Sequence, residues 1–86
     1  MKILLFTSPT CAWCPYVEEA LKRALKNCAE IEVERIDISK NVEVAEKYEI
    51  IALPTILLPN NQRLIGAMSE EELKEHLRRF CFNIIN

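Results

Sequence analysis

From Lys2 to Thr7 the chain is apolar without alternation, with Ile3-Leu4-Leu5-Phe6 in a row. Such a run predicts a short central strand covered on both faces. Ser8-Pro9-Thr10 breaks it. Beyond the break Val17, Ala20, Leu21, Ala24, Leu25 and Cys28 recur at i, i+3, i+4, i+7, i+8 and i+11. That spacing predicts a single-stripe amphipathic helix from about Cys14 to Cys28. Glu18, Glu19, Lys22, Arg23 and Lys26 make its wet face. Glu18 with Lys22, and Glu19 with Arg23, are expected to pair across one turn.

Ile31 and Val33 alternate with Glu32 and Glu34, then Ile36 and Ile38 take the opposite parity. The slip predicts an edge strand with a bulge at Glu34-Arg35, or one that ends there. A short helix is expected next, capped by Asn41 or Ser39, with Val42, Ala45 and Tyr48 inward. Thr55 to Leu58 reads as a strand, Pro59-Asn60-Asn61-Gln62 as a turn, and Arg63 to Ile65 as the return strand of a hairpin. Ser69 followed by Glu72 forms a capping box that opens a last helix, with Leu73, Leu77 and Phe80 as its core stripe. The order is β-α-β-α-β-β-α. The first strand–helix–strand unit must cross over right-handed between parallel strands, which gives a four-stranded mixed sheet with helices on both faces.

The chain of 86 residues is expected to be one domain, 1–86. Half of it is hydrophobic and 28% is charged, as in ordinary globular proteins. The formal charge of −2, from 11 basic and 13 acidic residues, supplies no basic excess for nucleic acid or an anionic membrane. Ile3-Leu4-Leu5-Phe6 is too short for a signal-peptide core and no small-residue cleavage site follows. The reading is therefore cytoplasmic, where a close cysteine pair is more often catalytic or metal-binding than structural.

That pair is Cys11-Ala12-Trp13-Cys14, set between a strand and a helix. Unpaired N–H groups and the dipole at a helix start favour an anion. A thiolate at Cys11 is thus favoured, and the thiolate is the species that attacks a disulfide. Cys14, about one turn on, is placed to resolve the mixed disulfide. Pro15 is tolerated in the first turn, where its missing N–H would be unpaired. Two blander readings compete: a passive disulfide, or half of a metal site. Zinc normally needs four ligands, with Cys28, Cys81 and His76 as the remaining candidates. Cys28 lies 14 residues beyond Cys14, about 20 Å along a helix, so it cannot share an ion with the pair. A metal or cluster shared between two chains stays open.

The sequence resembles the thioredoxin/glutaredoxin superfamily, above all the short archaeal glutaredoxin-like thioredoxins. The resemblance rests on Phe6-Thr7-Ser8-Pro9-Thr10-Cys11-Ala12-Trp13-Cys14-Pro15, on Ala52-Leu53-Pro54-Thr55 and on Ile65-Gly66-Ala67. It implies the thioredoxin fold, Cys11 and Cys14 as the redox-active couple, and a cis Leu53-Pro54 peptide beside them. It also implies that the Leu53 backbone pairs with an extended substrate chain, by strand addition. Ala12-Trp13 matches neither the Gly-Pro of typical thioredoxins nor the Pro-Tyr of typical glutaredoxins. No residue matches the buried acid of thioredoxins; Asp37, the only Asp, points elsewhere. Gly66-Ala67 follows the thioredoxin pattern, and residues that would hold glutathione are not evident.

Trp13 is expected at an exposed rim that docks partners, and Tyr16 either shields the sulfurs or packs inward. Cys28 and Cys81 end the stripes of helices expected to lie side by side. They are read first as two buried free thiols, with a disulfide between the helices as the sharper alternative. His76 is read as a boundary residue. The apolar tail, Phe82-Asn83-Ile84-Ile85-Asn86, either covers the lower edge of the core or makes a dimer contact; the expected state is a monomer. Together these readings give a reductase of protein disulfides. Cys11 and Cys14 are catalytic, while Trp13, Leu53, Pro54, Gly66 and Ala67 bind substrate. No metal or organic cofactor is called for, and a thioredoxin-reductase-like donor restores the dithiol. The competing readings are a glutathione-linked glutaredoxin, a metal or iron–sulfur carrier, and a redox-sensing binding module.

Overall fold

The computed structural model describes residues 1–81, so the expectations for the tail lie outside it. Its elements are β1 (Lys2–Thr7), α1 (Cys14–Ala24), β2 (Glu32–Asp37), α2 (Val42–Lys47), β3 (Thr55–Leu57), β4 (Arg63–Ile65) and α3 (Glu70–Leu77), the last tightening into a 3₁₀ turn at Arg78–Phe80. The sheet order is β2-β1-β3-β4. β1 pairs in parallel with β2, and the other pairs are antiparallel.

The faces are unequally covered. On one, α1 and α3 bury Val17, Leu21, Leu73 and Leu77 against Ile3 and Leu5 of β1 and Ile56 of β3. On the other, the buried apolar cluster is smaller, Phe6, Ile36 and Leu57, under partly buried Val44, Tyr48 and Ile50. Phe6 and Tyr48 meet with ring centroids 5.6 Å apart.

Several expectations need correction. α1 stops at Ala24, and Cys28 lies beyond it in a turn. The chain tightens there into i→i−3 bonds, Lys26 N–H to the Arg23 carbonyl and Cys28 N–H to the Leu25 carbonyl. Those bonds keep the apolar spacing while ending the α-helix. Glu19 pairs with Arg23 at 3.8 Å as expected, but Glu18 reaches across to Arg35 of β2 at 3.4 Å instead of pairing with Lys22. β2 holds an unbroken register from Glu32 to Asp37, without a bulge. The parity slip arises because Ile31, just before the strand, joins one core and Ile36 the other. Val42, at the first position of a six-residue helix, is exposed; Val44 and Tyr48 face the sheet. Asn41 precedes α2 but does not cap it by its side chain; its amide donates to the Asp37 carbonyl. Phe80 falls in the 3₁₀ turn and is only partly buried. The capping box stands as expected: Ser69 Oγ accepts from Glu72 N–H at 3.2 Å, and the Glu72 carboxylate accepts from Ser69 N–H at 3.0 Å. Asn61 takes the positive φ, 69°, that its turn demands.

Candidate active site: a disulfide at the start of a helix

β1 delivers the chain to the site, and Ser8-Pro9-Thr10 turns it. Cys11 N–H donates to the Ser8 carbonyl at 3.2 Å, closing that turn. The helix proper begins at Cys14, so Cys11 lies two residues before the N-cap, Trp13, rather than at the cap itself. Trp13 offers no side-chain acceptor and the first turn holds no acidic residue. The first-turn N–H groups of Cys14 and Tyr16, which have no partner within the helix, are therefore not neutralised from within α1. Cys11 and Cys14 are joined by a disulfide across a Cα–Cα distance of 5.4 Å.

The two sulfurs differ in access. Cys14 is 3% exposed, beneath the surface. Cys11 is half-buried and lines a cavity of about 450 Å³ with Trp13, Ile38, Ile51, Ala52 and Leu53. Trp13 is 59% exposed and meets Tyr16 edge to face at 5.8 Å. Tyr16 is thus neither core nor a lid sealed over the sulfurs; it props the indole. Ile51 is 90% exposed on the opposite rim.

The second rim is set by α2. Glu49 adopts φ 53° after the helix ends. Ile50 N–H donates to the Ala45 carbonyl and Glu49 N–H to the Glu46 carbonyl. These paired bonds are a Schellman motif with Glu where glycine is usual. Arg63 Nη1 donates to the Glu49 carbonyl at 3.2 Å and ties this turn to β4. The motif was not read from the sequence, because nothing at Glu49 signals a left-handed residue. It directs Ile50-Ile51-Ala52-Leu53 toward the cysteines. The Leu53-Pro54 peptide is cis, and Pro54 is buried. Thr55 Oγ1 donates to the Ala52 carbonyl at 2.6 Å, clamping the bend. Gly66, at φ 94°, donates its N–H to the Pro54 carbonyl at 2.9 Å. Gly66 and Ala67 are not among the residues lining the cavity; Gly66 reaches the site through the Pro54 backbone. The buried polar residues among those described are Thr7 and Thr55, so no carboxylate lies buried under the sulfurs. Asp37 is turned away, accepting from Ser39 N–H and Oγ, and that hydroxyl holds its carboxyl below the usual carboxylate range.

Cys28 and Cys81 are also joined, across a Cα–Cα distance of 6.0 Å. The first reading, two free thiols, is overturned, and the alternative of a bond between the helix ends holds. Sequence reasoning missed Glu30, whose carboxylate oxygen lies 3.3 Å from Cys28 Sγ and 3.4 Å from Cys81 Sγ. His76 sits partly exposed on α3.

A disulfide spaced by two residues, carried on a strand–turn–helix beside a cis-proline bend, defines a thiol–disulfide oxidoreductase. A family model described as "Thioredoxin domain" matches residues 1–78, and the chain belongs to that family. It is 42% identical over 76 residues to a "Probable Thioredoxin" of Methanothermobacter thermautotrophicus, covering 87% of this chain and 89% of that one. It is 35% identical over 80 residues to a "Thioredoxin" of Methanocaldococcus jannaschii, covering 92% and 94%. Among solved structures, the N-terminal domain of an alkylhydroperoxide reductase from Enterococcus faecalis superposes with a TM-score of 0.80 at 33% identity, over 88% of this chain and 37% of that one. Among the described residues, no helix is long and apolar enough to cross a membrane.

Proposed function

We propose that the protein reduces disulfides of other proteins, with Cys11 as the attacking and Cys14 as the resolving sulfur. The observation that carries the assignment is the unequal access of the couple: Cys11 faces the cavity while Cys14 is 3% exposed behind it. The Cys11 thiolate attacks one sulfur of the substrate disulfide. The bond to Cys11 forms, and the other substrate sulfur leaves and takes up a proton. Cys14, losing its own proton, then attacks Cys11; the second substrate sulfur leaves as a thiol. Two electrons pass to the substrate, and the Cys11–Cys14 disulfide remains. A dithiol of a thioredoxin-reductase-like donor reverses that oxidation.

Leu53, next to buried cis Pro54, offers its backbone along the cavity for strand addition by an extended substrate. Trp13 and Ile51 supply apolar rims on either side. Gly66 acts on this groove by holding the Pro54 carbonyl through its N–H, while Ala67 makes no contact with the cavity. This reading supports a cytoplasmic monomer that needs no cofactor.

Insulin reduction coupled to a dithiol tests it. Cys11→Ser is expected to lower the rate by roughly 10³-fold or more, as removal of an attacking nucleophile does. Cys14→Ser is expected to accumulate a mixed disulfide with substrate, seen by intact mass at Cys11. A trapped adduct at Cys14 in the Cys11→Ser variant, or faster turnover of the wild type with glutathione mixed disulfides than with insulin, would reverse the assignment of sulfur or of substrate.

A further inference from the structure

The geometry points to a second site: once its disulfide is reduced, Cys28, Cys81 and Glu30 form a thiolate–carboxylate site for a borderline divalent cation, zinc by preference. It lies four residues past the end of α1, a helix about 16 Å long with Cys14 at its start. It does not rest on the role given to Cys11.

One carboxylate oxygen of Glu30 stands 3.3 Å from Cys28 Sγ and 3.4 Å from Cys81 Sγ. Such an oxygen gains nothing from disulfide sulfurs, which have no proton to donate. Among the described residues Glu30 makes no ion pair that would explain its position. Its backbone is pinned independently, because the Met1 ammonium donates to the Glu30 carbonyl at 2.9 Å. The three ligand atoms all lie within 4.8 Å of one another.

The two S···O distances are close to those of a tetrahedral zinc shell. With Zn–S near 2.3 Å and Zn–O near 2.0 Å, a carboxylate oxygen stands about 3.5 Å from each sulfur, and two thiolates stand about 3.8 Å apart. The two S···O spacings are already in place. Only the sulfurs must part, which the side chains accomplish by torsion over a Cα–Cα separation of 6.0 Å. Both cysteines are buried, at 5% and 3% exposure, while Glu30 is exposed and gives the ion a route in from solvent. Two thiolates beside a carboxylate would place three negative charges together, an arrangement that a divalent cation offsets. The fourth position is left to water.

The chemistry balances. A dithiol gives two electrons and two protons to the Cys28–Cys81 disulfide and becomes a disulfide itself. The two thiols then release two protons as one ion binds. The end of the helix pair thereby exchanges a covalent crosslink for a metal crosslink.

The test uses the full chain carrying Cys11→Ser and Cys14→Ser, which removes the other thiols. It is reduced under anaerobic conditions with a water-soluble phosphine, which takes the disulfide and one water to two thiols and a phosphine oxide. Cobalt(II) is then titrated in, with fold followed by circular dichroism. One ion per chain is expected, with thiolate-to-cobalt charge-transfer absorption and release of two protons. Equimolar zinc should bleach the band, and the same chain left oxidised should show none. Glu30→Gln should weaken cobalt binding at least tenfold while keeping the band. Absence of the band, whether or not the reduced chain is folded, would overturn the site. An equal band from the oxidised chain would do the same. Unchanged affinity in Glu30→Gln would remove the carboxylate from it, and a band surviving excess zinc would overturn the preference for that metal.

Discussion

The two disulfides of this small protein are built for opposite ends. Cys11–Cys14 spans three positions, lies beside a cavity and leaves one sulfur half-exposed. Cys28–Cys81 spans 53 positions, has both sulfurs buried and bonds the turn after α1 to the end of the last helical segment. Loop-closure entropy grows with the length of chain enclosed, so the long link constrains the unfolded chain far more than the short one. Access works the other way, since thiol–disulfide exchange needs in-line approach of a thiolate. One fold thus carries a bond open to exchange and a bond shielded from it, and sequence separation and exposure tell them apart.

The largest way to test that contrast is to delete the long link. Cys28→Ala with Cys81→Ala is expected to cost about 4 kcal/mol for a loop of this length. In a domain of this size that lowers Tm by roughly 20 °C, as thermal unfolding by circular dichroism would read. The same pair of changes at Cys11 and Cys14 should move Tm far less, and equal shifts would erase the distinction. Next comes selectivity of reduction. Under native conditions with limiting dithiol, alkylation followed by intact mass should show two modified cysteines well before four, with rates apart by roughly a hundredfold given the contrast in access. Simultaneous appearance of all four would mean the buried link opens as freely as the exposed one.

A smaller effect concerns the rim. Trp13→Ala removes an exposed indole that touches neither core, so stability should hold while KM for a protein disulfide rises about tenfold, in the range of an interface hot spot. The smallest lies at α3, which carries the buried end of the comparison. Ser69→Ala should cost about 1 kcal/mol by uncapping the helix. The Ser69 N–H holds the Glu72 carboxyl below its ordinary range. A carboxyl depressed in the folded state stabilises above its unfolded value, and that contribution fades as pH falls through the folded one. Denaturant midpoints measured from neutral pH downward should therefore show the wild type converging on Glu72→Gln in acid.

Local chemistry was the legible part of this chain. Cys11-Ala12-Trp13-Cys14, the Ser69–Glu72 box and the turn at Asn61 each depend on a few adjacent residues, and each stands where the spacing put it. The order of elements followed from periodicity. The cis Leu53-Pro54 peptide came from family resemblance, because most prolines of that kind are trans. What the pattern hid was set by tertiary structure. The stripe through Leu25 and Cys28 looks the same whether the helix continues or tightens into i→i−3 turns, so α1 read too long. The parity change in β2 looked like a bulge because two cores, not one, flank it. Glu30 read as one more solvated acid; its place between two sulfurs depends on where a turn and a distant helix end converge.

The lopsided cover of the sheet has a mechanical consequence. The helix that begins at Cys14 is bedded on the thick side, where Val17, Ala20, Leu21 and Ala24 pack with Leu73 and Leu77 of α3. The Ile50–Leu53 rim descends from α2, a six-residue helix with no fully buried residue of its own. Local opening costs least where few apolar contacts must be broken. One jaw of the groove is therefore an anvil and the other a spring.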